Sequence, residues 1–273
     1  HERYIVEEEF RFIDKKLREL NILSSSPYFG KVDFVEKDDI QKESLYIGRF
    51  GVAFKEEPDH MIVDWRSPIA SLFYNNKLGE NKYIAPEGEI SVDVLSKRQF
   101  VIKKAKLLGM FDSELNVIDD VLQVMLSKNS SDKLKDIVTT IQEEQDYLIR
   151  QPRNKTIVID GVAGSGKTTV ALHRVAYLLY NYRKILQDKV LILGPNDIFI
   201  EYISTVLPSL GEVGVKQNTF KEFAAELTGI TNVMDNKEYM EKNLKGDKEF
   251  IKEVLYKSSI DYIKEEVLII DDL

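Results

Sequence analysis

Apolar positions over the first twenty residues keep a regular step. Val6, Phe10, Ile13, Leu17 and Leu20 follow one another at intervals of 4, 3, 4 and 3, with Glu, Lys and Arg between them. That spacing predicts a helix over 4–21 and draws an a/d seam along it. Two heptads leave two readings open: an amphipathic helix lying on a domain, or a coiled-coil arm whose partner helix is missing. The seam is already running at the first residues, the expectation for a fragment of a longer chain.

The texture changes at Ser24-Ser25-Ser26-Pro27. Short β-branched or aromatic runs follow at Lys31–Val35, Leu45–Gly48, Gly51–Phe54, His60–Asp64, Ile69–Tyr74 and Lys82–Ala85. Turn signals such as Glu57-Pro58-Asp59 and Pro86-Glu87-Gly88 separate them, which predicts a mostly antiparallel β module. Helical periodicity returns over 112–127 and again over 132–150, where Leu134, Ile137, Ile141 and Leu148 recur at helical intervals.

Thr156-Ile157-Val158-Ile159 then reads as a buried strand, and Val170, Leu172, Val175, Ala176 and Leu179 as the face of a helix. Lys189–Leu193 reads as a second buried strand, turned by Gly194-Pro195-Asn196 into a helix over 197–207. Thr219 and Glu222 have capping-box spacing for a helix over 220–227, and two or three short charged helices follow to Glu266. The β, α, β, α alternation predicts a parallel sheet with right-handed crossovers. The expected divisions are a helical arm at 1–25, a β-rich module at 26–110, an α/β nucleotide domain at 111–227 and a helical insertion at 228–273.

Between the first strand and its helix lies Gly161-Val162-Ala163-Gly164-Ser165-Gly166-Lys167-Thr168, which fits G-x-x-x-x-G-K-[ST]. Glycines let such a loop turn its N–H groups inward as an anion nest at the positive end of the following helix. Gly161, Ala163, Gly164, Ser165, Gly166, Lys167, Thr168 and Thr169 are the candidate nucleotide-binding residues. Lys167 is expected to reach the phosphates, and the Thr168 hydroxyl to ligate Mg²⁺.

Composition narrows the picture. The 273 residues include no cysteine, which excludes disulfides and thiolate metal sites, and three scattered histidines do not make a metal centre. No apolar run approaches the length of a membrane span and no signal-peptide pattern opens the chain, so a cytoplasmic protein is expected. The net charge of −8 favours protein partners over a wide nucleic-acid surface. Asp64-Trp65-Arg66-Ser67-Pro68 holds the single Trp, and its plain reading is a buried aromatic in a turn fixed by an Asp–Arg pair.

Gln145 precedes Gly161 by sixteen positions, and Ile141-Gln142-Glu143-Glu144-Gln145 resembles the adenine-reading motif of superfamily 1 UvrD-like helicases. Gly161–Thr169 with Leu172-His173-Arg174 resembles their phosphate motif and its helix. Thr219-Phe220 resembles a further motif, with Lys221 where His is usual. Pro27-Tyr28-Phe29-Gly30, Tyr46-Ile47-Gly48-Arg49, Asp64–Ala70, Lys97-Arg98-Gln99-Phe100, Ala171–Tyr180 and Leu207–Glu212 are similar to the HelD-type helicases within that group. The resemblance implies an α/β fold with a partial RecA-like P-loop domain and parallel sheet, preceded by a coiled-coil-type helix and a small β-rich module. It also implies ATP and Mg²⁺ as cofactors, Gln145 as the adenine contact, and RNA polymerase as partner of a motor that recycles stalled complexes.

Those motors carry an acidic Asp-Glu-Ala-Gln-type motif and arginines from a second lobe. Val267-Leu268-Ile269-Ile270-Asp271-Asp272 has terminal acids but continues as Leu273; it reads as a strand end within the insertion, with Asp271 and Asp272 as Mg²⁺ ligands the alternative. The expectation is a chain that binds nucleotide without hydrolysing it. A DNA-repair helicase fragment, and an interaction module with a vestigial nucleotide site, remain the alternatives.

Overall fold

The computed structural model describes residues 2–37, 39, 41–53, 60–75, 77–112, 141, 143–186, 188–230, 233–234, 236–246 and 248–262. The chain divides into two units, His1–Thr219 and Phe220–Leu273.

The first unit opens with helix α1, Glu2–Ser25. Its C-terminal end is anchored: Leu23 is buried, and the Ser25 carbonyl accepts from Ala105 N at 2.9 Å. Further back, Phe10, Ile13, Leu17 and Leu20 are exposed. The side of α1 that lines a cavity with Phe50, Pro208 and Gly211 instead carries Asp14, Lys15, Arg18, Glu19 and Ile22. A helix lying on its domain by the heptad seam would bury those four residues; here a largely polar face looks inward.

Seven strands form one sheet: β1 (Gly30–Glu36), β2 (Lys42–Gly48), β3 (Val52–Ala53), β4 (His60–Asp64), β5 (Gly79–Ala85), β6 (Gly88–Lys103) and β7 (Lys106–Asp112). The order is β3-β4-β2-β1-β6-β5, with β7 on the far half of β6. Every pairing is antiparallel except β2 with β4. Asp33 binds three strands at its register position, accepting from Ser44 at 2.6 Å and Ser96 at 2.9 Å beside an ion pair to Lys31 at 2.8 Å. Burial alone would raise its pKa, but these donors pull the carboxyl well below the ordinary range.

The sixteen-residue β6 lies outside the predicted runs because charges at Asp93, Lys97 and Arg98 interrupt its apolar pattern. Ile69–Tyr74, predicted as a strand, is instead a turn leading into the short helix α2, Ser71–Tyr74. Successive bonds from Ala70 N to Ser67 O and from Ser71 N to Pro68 O wind this segment, and Pro68 has the fixed φ that starts such a turn.

Helix α3 spans Glu143–Ile149, helix α4 Lys167–Leu186 and helix α5 Asp197–Ser209. The Asn196 side chain caps α5, accepting from Phe199 N at 2.9 Å. Strands β8 (Leu191–Gly194) and β9 (Lys216–Thr219) pair in parallel, with α5 as their crossover. β8 is half-exposed rather than buried. The predicted buried strand at Thr156–Ile159 also requires correction. Among the described residues it has no strand partner, and Val158 is 90% exposed. An apolar β-branched run favours extended backbone, but burial requires a neighbouring ladder, and among the described residues β8 pairs only with β9. The parallel sheet of the described residues is thus two-stranded.

One apolar cluster joins sheet and helices, from Val32, Phe34, Val92 and Val94 through Trp65 and Leu72 to Ile149, Leu172, Ala176 and Leu207. The helix predicted over 112–127, and residues 132–140 of the next one, lie outside the described residues apart from Asp112, which ends β7. The second unit holds α6 (Phe220–Thr228), α7 (Asn236–Leu244) and α8 (Lys248–Lys257). Tyr239 and Phe250 join the last two edge-to-face, with ring centres 5.6 Å apart.

Candidate nucleotide site

Residues 161–166 turn tightly ahead of α4. Gly164 and Gly166 hold φ of 84° and 83°, backbone that a side chain strains, and the Val170 N–H closes on the Gly166 carbonyl at 2.9 Å to start the helix. The loop tip, including Ala163 and Ser165, is exposed to solvent. Lys167 folds back over it, its ammonium donating to the Gly161 carbonyl at 2.7 Å and the Val162 carbonyl at 2.8 Å. The Gly161 N–H is held by Asp160 Oδ1 at 2.7 Å. Lys167, Thr168 and Thr169 form the first turn of α4, which runs unbroken until a kink at Tyr182, and theirs is the end where the dipole is positive.

Gln145 lies on α3, and the fold brings it to this loop. A Cβ placed on Gly166 would stand 3.4 Å from Gln145 Nε2, ordinary van der Waals contact, so the side-chain amide lies beside the loop at Gly166. α3 has only seven residues, and two arginines hold its C-terminal end. Arg174 of α4 donates to the carbonyls of Leu148, Ile149, Gln151 and Pro152 at 3.3, 3.0, 2.8 and 3.0 Å. Arg150 pairs with Asp146 at 2.8 Å and donates to the carbonyls of Ser67 at 2.9 Å and Trp65 at 2.7 Å.

The Asp64–Pro68 turn is built as its sequence predicts. Trp65 is fully buried, and the Asp64 carboxylate takes both the Arg66 backbone N–H at 2.9 Å and its guanidinium at 2.8 and 2.7 Å. The same guanidinium continues to Glu212 Oε1 at 2.8 Å, and Arg183 reaches Glu212 Oε2 at 2.6 Å. Trp65 also meets His173 of α4 edge-on, ring centres 5.3 Å apart. His173 Nδ1 bonds the Thr169 carbonyl at 2.7 Å; a carbonyl only accepts, so Nδ1 carries the proton. Burial first, with a smaller push from Arg49, holds the ring pKa down at about 4 despite the Thr169 bond. His173 is therefore neutral at neutral pH.

Arg174, Arg150 and Glu212 have no local pattern that announces these roles, because each acts on groups distant in sequence or on backbone. Among the described residues no cluster of His, Cys, Asp or Glu could hold a metal by itself. Asp271 and Asp272 lie outside the described residues. No described helix is long and apolar enough to cross a membrane.

Sheet, loop and helices define a mixed α/β chain with a glycine-rich turn at the head of a long helix. Residues 2–129 match the family described as DNA helicase IV HelD, N-terminal domain, and so are similar to the N-terminal region of a helicase. That match spans α1 and the whole antiparallel sheet and ends before the glycine-rich loop. No curated protein shows a significant match to the chain.

Proposed function

We propose that this chain is the N-terminal part of an ATP-dependent UvrD/HelD-like motor and that ATP binds at residues 161–169. The observation that carries the reading is the seating of Gln145 against Gly166, which puts an amide able to pair with adenine beside a phosphate-type loop. The residues fit the ligand. Loop N–H groups at a helix N-terminus suit phosphate oxygens, and the Lys167 ammonium already lies over the loop. Thr168 follows as the residue whose hydroxyl would help hold Mg²⁺, an ion that neutralises phosphate charge when bound. The P-loop region is on this reading a partial RecA-like domain.

The chain binds nucleotide without turning it over, because its sequence holds no Asp-Glu-Ala-Gln-type motif to complete a Mg²⁺ site. Its partner is RNA polymerase, in the cytoplasm, and α1, with its exposed seam, is the returning limb of a coiled-coil arm. The match over 2–129 supports the helicase-type motor alone. Isothermal titration of the chain with Mg-ATP tests the site: micromolar-range binding is expected, and no heat at millimolar ATP would refute it. Co-elution with bacterial RNA polymerase on gel filtration tests the partner, and independent migration would point to the DNA-repair alternative.

A further inference from the structure

We infer that Arg174 is a positioning residue for adenine recognition, holding the helix that carries Gln145 at a fixed distance from the phosphate loop; this rests on the ATP reading above. The last four carbonyls of any α-helix lack intrahelical partners. At the end of α3 one guanidinium takes the last two of these, Leu148 and Ile149, together with the Gln151 and Pro152 carbonyls just beyond the helix, so a single side chain ties the helix end to the segment that leaves it. A positive charge there also suits the helix dipole. α3 needs such a clamp, because a helix of seven residues does not hold its shape alone.

The clamp has a direction. Arg174 and Lys167 stand on the same helix, α4, seven positions apart, about 10 Å along a rigid rod. Gln145 stands four positions before Ile149 on the clamped helix. The adenine contact and the phosphate contact are thereby referred to one element. Arg150 does a different job, tying the same helix to the carbonyls of Trp65 and Ser67 on the sheet side. Losing Arg174 frees α3 relative to the loop and leaves the loop itself intact, since none of the loop's hydrogen bonds involves Arg174. Lysine cannot substitute: its ammonium is a point donor, and four spread carbonyls require the planar fork.

The test compares Mg-ATP with Mg-tripolyphosphate, which offers the phosphates without the base, by titration calorimetry on the 273-residue chain. Arg174→Lys is expected to weaken ATP about tenfold, the worth of one or two hydrogen bonds, and tripolyphosphate less than about twofold. In a Gln145→Ala background Arg174→Lys is expected to cost ATP nothing further, because the contact it positions is gone. Equal weakening of both ligands, unchanged ATP affinity, or a full additional loss in the Gln145→Ala background would each overturn the inference while leaving the ATP site standing. A wild-type chain that binds neither ligand would remove the ATP reading and this inference with it. Arg174→Gln is the second variant, read by the same ratio, and a matched thermal midpoint shows that each variant remains folded.

Discussion

Arg66 and Glu212 stand 146 positions apart and meet at 2.8 Å between Nη1 and Oε1, both almost completely buried. Neither is left with an idle charge. Arg66 spends its other donors on Asp64 and on the Leu210 carbonyl, and its face lies 4.6 Å from the Tyr180 ring centre. Glu212 gives its second oxygen to Arg183. The turn after β4, the C-terminal half of α4 and the chain after α5 are therefore held by one charged network. Burial would weaken the Arg66 proton affinity, but Asp64 and Glu212 more than reverse this and keep the cation charged.

Breaking one partner of that network leaves the others desolvated and unpaired. Arg66→Ala is expected to cost about 3–5 kcal/mol of unfolding free energy. Glu212→Gln should cost less, since its amide can still accept one bond. Urea unfolding measures both, and a loss under about 1 kcal/mol for Arg66→Ala would mean that the network contributes little beyond a surface pair.

The two ends of α1 should answer mutation differently. Leu17 is exposed while Leu23 is 6% exposed. Leu17→Glu is expected to change stability by no more than about 0.5 kcal/mol, whereas Leu23→Ala should cost about 2–4 kcal/mol. Thermal or urea unfolding of the isolated chain compares them. A large cost at Leu17 would show that the seam packs on the body after all.

His173 gives the fold an acid-side weakness. Its folded pKa of about 4 lies below the ordinary 6.5, so the unfolded chain takes up the proton first as pH falls. Between about pH 6.5 and 4 the unfolded state then binds more protons, and stability drops by up to about 3 kcal/mol from this group alone. Below that window both states are charged and no more is lost. His173→Phe, which keeps an aromatic ring against Trp65, should lose less stability over the same interval. Parallel slopes for the two proteins would assign the acid loss to carboxylates instead.

Local pattern made the helices legible: α1, α4, α5 and α6 fall where periodicity or a cap places them, because their signals are confined to one or two turns. β1, β2 and β5 were equally clear from β-branched runs. What failed was everything decided by a distant neighbour. Ile69–Tyr74 has strand residues, but the turn begun at Asp64 and Pro68 winds it helically. Thr156–Ile159 has the residues of a buried strand and lies half in solvent, because pairing depends on which strand arrives beside it. The candidate site divides in the same way. Lys167 and its glycines announce themselves within eight residues, while the clamp from Arg174 to the carbonyls of α3 involves backbone atoms that no side-chain pattern encodes.

Lys167 is the charge most exposed to test. Its ammonium bonds two carbonyls of an exposed loop, which water can satisfy in its place, so removing it should leave the fold almost unchanged. Lys167→Ala is expected to weaken Mg-ATP by at least about tenfold, the loss of a charge-assisted contact to phosphate, with thermal midpoint shifted by only a degree or two. Steady-state phosphate release should be at background in both proteins. Robust release by the wild type would show that a Mg²⁺-completing acid is present, with Asp271 and Asp272 the first residues to substitute.

Gln145 decides between nucleotides. Its amide can donate to N7 of adenine and accept from the N6 amine, whereas guanine presents acceptors at both N7 and O6 and leaves the amide oxygen facing an acceptor. Wild-type chain is therefore expected to prefer ATP over GTP by about tenfold, from one matched pair of hydrogen bonds against one mismatched pair. Gln145→Ala should bring the two within about twofold of each other by weakening ATP, without strengthening GTP. Equal affinity in the wild type would instead place the base outside the reach of α3. Selectivity surviving in Gln145→Ala would transfer the reading of adenine to another residue.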